Sequence, residues 1–89
     1  MKEIKKKVEG GKLLRIEADI SENKIKDISI TGDFFLHPEE KIFEIEDALK
    51  DQPLDRQVLA GVLDGIIDDA VTLIGVSEND IIDALLELS

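Results

Sequence analysis

LLRIEADISENKIKDISIT, residues 13–31, decides the architecture. Leu14, Ile16, Ala18 and Ile20 alternate with Arg15, Glu17 and Asp19. A period of two belongs to a strand with one face buried and the other in water. Ser21-Glu22-Asn23-Lys24 reads as a turn, and the alternation then resumes with Ile28 and Ile30 inward. Upstream, KEIKKKVEGG (2–11) sets Ile4, Lys6 and Val8 against Lys5 and Lys7. This is the pattern of an edge strand blunted by lysines. Gly10-Gly11-Lys12 makes the turn between the two. The three strands are expected to form an antiparallel meander with one apolar and one charged face.

Downstream the period changes. His37-Pro38 is expected to open a helix, since proline fits the first helical turn and Glu39 and Glu40 suit the positive end of the dipole. Ile42, Ile45 and Leu49 form its apolar stripe, with Phe43 at the flank. DQP (51–53) ends that helix. Asp55 starts a second, with Val58, Leu59, Val62, Leu63, Ile66 and Ile67 inward and Asp64 and Asp68 facing water. LIGVS (73–77) breaks it. Ser77, with Asp80 three residues later, resembles a capping box for a third helix that buries Ile81, Ile82, Leu85 and Leu88. The expected fold is α+β: a three-stranded antiparallel meander followed by three helices packed on one face. Its 89 residues make a single domain, 1–89.

Composition narrows the function classes. No residue is cysteine, which removes disulfides, thiolate metal sites and cysteine nucleophiles. The net charge is −10, distributed as +3 over residues 1–12, −5 over 13–50 and −8 over 51–89. Such a surface repels nucleic acid. No apolar run approaches the roughly 20 residues of a membrane span, and a cytoplasmic home is the default expectation. His37 is the sole histidine and precedes a proline, a capping or exposed position rather than that of a general base. No serine has a base placed by a recognisable motif, and no phosphate-binding loop is present. The carboxylate pairs Glu39-Glu40 and Asp68-Asp69 would diverge by about 100° on a helix and read as solvated faces. Gly61 and Gly65, four apart in the second helix, suggest close helix–helix approach inside the domain; a partner contact is the other reading. The residues alone therefore favour a non-catalytic module.

TGDFFLHPEE (31–40) carries the remaining anomaly. If the third strand continues, Phe34 joins Ile28 and Ile30 in the core, while Phe35 points outward or into the strand–helix corner. Phe35 then either caps the end of the core or, with Asp33 beside it, forms part of a patch for a partner protein. Gly32 permits a turn that a Cβ would resist. Asp33 can bond nearby backbone N–H groups or meet a cation on a partner. Lys12 is either a solvated turn residue or reaches an acidic group or phosphate of a partner.

Residues 10–51, from GGK through the alternating strands and GDFF to the Pro-Glu-led helix, resemble the C-terminal accessory domain of lipoate–protein ligases. The two later helices fit in number and length. That domain's fold is similar to the iron–sulfur scaffold proteins, whose ligand cysteines are absent here. The resemblance implies a ligase that makes lipoyl-adenylate from lipoate and ATP with magnesium, then passes the lipoyl group to a lysine of an acceptor. Acceptors would be E2 subunits of 2-oxoacid dehydrogenases or the glycine-cleavage H protein. ATP, magnesium and lipoate would sit on a separate large catalytic subunit, none of them on this chain. The chain would be the small subunit of a two-part ligase, forming a heterodimer that does not act on nucleic acid or membranes. Lys12, Gly32, Asp33, Phe34 and Phe35 would face the large subunit. The competing expectation is a free-standing binding or scaffold module of similar fold.

Overall fold

A computed structural model describes residues 2–8, 10 and 12–88; Gly11 of the first turn and Ser89 lie outside the described residues. Strands β1 (Lys2–Lys7), β2 (Leu13–Ser21) and β3 (Lys24–Gly32) form an antiparallel sheet in the order β1-β2-β3, as the alternation predicts. Glu22 and Asn23 both have positive φ (54° and 61°). They make the two-residue hairpin whose twist matches that of the strands, which fixes the register. The pairing slips once, between Asp19 and Ile20. That bulge reverses the parity of β3, so Ile25 is buried together with Ile28 and Ile30. Strict alternation alone leaves Ile25 unassigned.

Helices α1 (Lys41–Leu49), α2 (Arg56–Ile66) and α3 (Glu78–Leu86) cover the apolar face. Leu14, Ile16, Ala18, Ile28 and Ile30 of the sheet meet Ile45, Leu49, Leu59, Leu63, Ile81, Ile82 and Leu85 in one core. Among the described residues no polar or charged side chain is buried. The opposite sheet face is ionic: Arg15 Nη2 stands 2.7 Å from Glu3 Oε2 and also pairs with Glu17. The free edge of β3 is closed rather than left open. Glu46 accepts from the Ile30 N–H at 2.8 Å, and the Gln52 carbonyl accepts from Ile25 N–H at 3.0 Å. This satisfies donors that would otherwise template aggregation.

The caps agree with the sequence. Asp55 accepts from the N–H groups of Gln57 and Val58, and Ser77 and Asp80 form the reciprocal box. Three expectations change. First, α1 begins at Lys41 rather than at Pro38, because Phe35–His37 is a strand, β4, and residues 38–43 join it to the helix through i→i+3 bonds. Second, Val58 is not inward: it is 36% exposed, because α2 packs between α1 and α3 through Leu59 and Leu63. Third, Gly61 and Gly65 make no close approach. A methyl group at either would meet nothing within 4 Å.

Asp64 is exposed, yet it hydrogen-bonds Glu78 in the first turn of α3. Partial burial, then this bond, push the Glu78 carboxyl up to about 7 from 4.5. Protonated Glu78 donates to the Asp64 carboxylate. Below pH 4.5 the group is protonated whether folded or not. As the pH rises toward 7, only the folded state keeps the proton, so stability falls across that window. Glu78→Gln keeps a donor and has no charge to bury. It should melt about 4–8 °C above the parent at pH 8, on the order of 1 kcal/mol after allowance for screening at exposed Asp64. The difference should vanish by pH 4. Thermal melts at the two pH values check this; equal melting temperatures at pH 8 would contradict it.

Candidate functional site

At the end of β3 the chain must pass the start of β2. Gly32 has φ 150°, and a methyl group there would stand 2.2 Å from the Leu13 carbonyl oxygen. That contact distance is possible only for glycine. The Asp33 N–H then donates to the same Leu13 oxygen at 2.9 Å. The turn is thus held by backbone. Among the described residues the Asp33 carboxylate has no hydrogen-bond or ion-pair partner, so its charge faces outward.

Strand β3 ends at Gly32, so Phe34 does not continue it into the core as expected. Phe34 is half-buried, packed against the core's edge. After it comes a second sheet that the sequence does not announce. Strand β4 (Phe35–His37) pairs antiparallel with β5 (Thr72–Ile74), with Phe35 opposite Ile74, Leu36 opposite Leu73 and His37 opposite Thr72. Leu36 is buried in the core. Phe35 and Ile74 lie on the other face, 53% and 59% exposed. The His37 ring stacks on Phe35, centroids 6.2 Å apart and planes 8° from parallel. Phe43, on the outer side of α1, is 65% exposed. A shallow groove of about 290 Å³ opens between Thr31–Gly32, Phe34–Leu36 and the Glu39/Ile42 side.

Lys12 joins this end of the molecule. Gly75, at φ 100°, follows β5, and a methyl group on it would stand 3.3 Å from Phe34 Cα and 3.4 Å from Lys12 Cγ. The Lys12 stem therefore lies across Gly75 beside Phe34. Its ammonium has no ion pair among the described residues. Lys12, Gly32, Asp33, Phe34 and Phe35 are brought to one end of the fold. Ile74, His37 and Gly75 belong with them and are not found by sequence reasoning. The only signal is VTLI (71–74), too short for its alternation to stand out from a helix break.

The arrangement sets an exposed apolar pair, Phe35 and Ile74, beside the stacked His37 ring. Among the described residues no three His, Asp or Glu side chains are grouped to hold a metal ion. No helix among them is long and apolar enough to cross a membrane.

Comparison with known proteins supplies the family. The family model described as the C-terminus of bacterial lipoate protein ligase matches residues 1–85. The lipoate-protein ligase A subunit 2 of Thermoplasma acidophilum is 36% identical over 73 residues, covering 82% of this chain and 76% of that protein. A solved chain from the archaeal lipoylation system of the same organism, a bipartite lipoate protein ligase and its E2 lipoyl domain, aligns with a TM-score of 0.73. Its sequence identity is 35%, over 83% of this chain and 82% of its own. The chain thus belongs to the family of the C-terminal domain of bacterial lipoate protein ligases.

Proposed function

We propose that this chain is the accessory subunit of a two-part lipoate–protein ligase, needed with a separate catalytic subunit to activate lipoate. The observation that carries this reading is its likeness to the second subunit of such a ligase along most of both chains. That likeness favours the subunit over a free-standing scaffold module.

The reaction has two steps. The lipoate carboxylate attacks the α-phosphorus of ATP, giving lipoyl-adenylate and pyrophosphate. An acceptor lysine amine then attacks the acyl carbon, and AMP leaves as the amide forms. ATP, magnesium and lipoate are assigned to the catalytic subunit. The accessory chain contributes position. Closing two bodies around reactants holds them in register, worth several kcal/mol of barrier in favourable cases. Asp33 and Lys12 are charges of opposite sign at one end of the fold, without ion pairs among the described residues, and they orient the subunit against complementary charges on its partner. The heterodimer acts on a lipoyl acceptor domain of the E2 or H-protein type, in the cytoplasm.

The test is reconstitution. The isolated chain should release no pyrophosphate from ATP and lipoate, and adding it to the catalytic subunit should restore adenylation. Pyrophosphate release by the isolated chain, or full adenylation by the catalytic subunit without it, would sink the reading. Within that assay, Asp33→Asn should fold normally, since the turn is held by backbone, and should slow adenylation roughly 5–30-fold. Transfer from pre-made lipoyl-adenylate should be nearly unchanged. Equal slowing of both half-reactions, or of neither, would leave Asp33 without a step-specific role. Lys12→Glu should weaken activation at low salt and less so at high salt, because surface charges are screened within about 10 Å at 0.1 M.

A further inference from the structure

We infer that the outer face of the β4–β5 ribbon, centred on Phe35 and Ile74, is the surface on which the catalytic subunit docks; this rests on the ligase reading above. The two halves of the fold treat their outer faces differently. The three-stranded sheet turns Glu3, Arg15, Glu17 and Asp27 to solvent, tied by ion pairs. The ribbon turns a directly opposed Phe–Ile pair to solvent instead, extended by His37 and Thr72. Leu36 and Leu73 already supply the ribbon's inward contacts. A cross-strand aromatic–aliphatic pair helps hold a ribbon together, but that does not require both side chains to stay more than half exposed. An aromatic anchor with an apolar neighbour and a groove at its foot is the usual centre of a protein interface.

Charge decides the occupant. Glu39 lines the groove beside Phe35, and Asp33, next to Gly32, has no ion pair among the described residues. Lys12, beside Phe34 and Gly75, is a cation at the same end, so the local charges are mixed and the negative sign of the chain as a whole is what a partner meets. On a chain of net charge −10, this apolar patch fits a partner whose own apolar site lies in a basic surround. A second copy would bring a second charge of −10 against the first. Anionic lipid and nucleic acid are repelled for the same reason. The partner that a two-part ligase requires is its catalytic subunit, and the face fits one with a basic-rimmed apolar site.

The experiment measures affinity between the full chain and the catalytic subunit by calorimetry, with thermal melts of each variant. Ile74→Glu should weaken binding roughly 30-fold or more with an unchanged melting temperature. Phe35→Ala, which removes area without adding charge, should weaken it about 10-fold. Val58→Glu places the same charge on exposed α2 and should bind like the parent. Raising salt should weaken the parent complex. Parental affinity in both Ile74→Glu and Phe35→Ala would overturn this face as the docking site while leaving the ligase reading intact. A parent chain that does not bind the catalytic subunit at all would overturn the ligase reading and this inference with it. Self-association of the parent in sedimentation, abolished by Ile74→Glu, would also overturn it by showing a second copy as the occupant.

Discussion

Gly32→Ala should lower the unfolding free energy by about 3 kcal/mol or more, since both backbone strain and a steric clash oppose it. The glycine sits at φ 150°, and a Cβ would come within 2.2 Å of the Leu13 oxygen, 3.1 Å of its carbonyl carbon and 3.2 Å of Leu14 Cα. All three are backbone atoms of a central strand that cannot rotate aside as a side chain would. Relief requires β2 and β3 to separate at the point where Leu14 pairs with Gly32 and the Asp33 N–H bonds Leu13. A domain of this size has roughly 4–13 kcal/mol in total, so the loss is a large fraction of it. The melting temperature should fall by about 12–24 °C. Gly61→Ala is the internal contrast. Its position is helical and open, and the substitution should raise stability by about 0.5–1 kcal/mol. Urea unfolding of both variants checks the pair. A Gly32→Ala midpoint within error of the parent would show that the strand ends can part without cost.

Leu36→Ala should be the second severe change. Leu36 is the inward residue of β4 and is buried in the core opposite Leu73. Truncation of a buried leucine costs about 2–4 kcal/mol through lost burial and the cavity left behind. A local effect adds to it. The β4–β5 ribbon has only three residue pairs, and an isolated two-stranded ribbon is marginal in water. It persists because Leu36 and Leu73 fasten it to the core. Leu36→Ala should therefore speed amide hydrogen exchange in 35–37 and 72–74 more than in β2, and weaken binding of the catalytic subunit along with stability. Phe35→Ala should weaken binding while leaving the melt nearly unchanged. If Leu36→Ala melts within about 2 °C of the parent, the ribbon is held by something other than this side chain.

By itself the sequence determined the three-stranded meander, the three helices, the caps at Asp55 and Ser77, and the need for glycine at 32. Each rests on a local signal. Alternation over eight or nine residues, an apolar stripe repeated over two turns, or a cap three residues from its partner are all set by neighbours in the chain. Tertiary structure alone decided the rest. Phe35–His37 and Thr72–Ile74 are three residues each and far apart in sequence; neither has a period long enough to read, and each is a strand only because the other lies beside it. Val58 faces out and Gly61 and Gly65 stay uncovered because a helix's buried side depends on which elements flank it, and α2 packs against α1 and α3. The β2–β3 bulge moved Ile25 into the core because one extra residue reverses the parity of every position beyond it. Lys12 comes to Phe34 across Gly75, a contact between three distant segments. This end of the protein is non-local in origin: an outward Phe35 is legible in the sequence, but only the folded chain sets Ile74 opposite it.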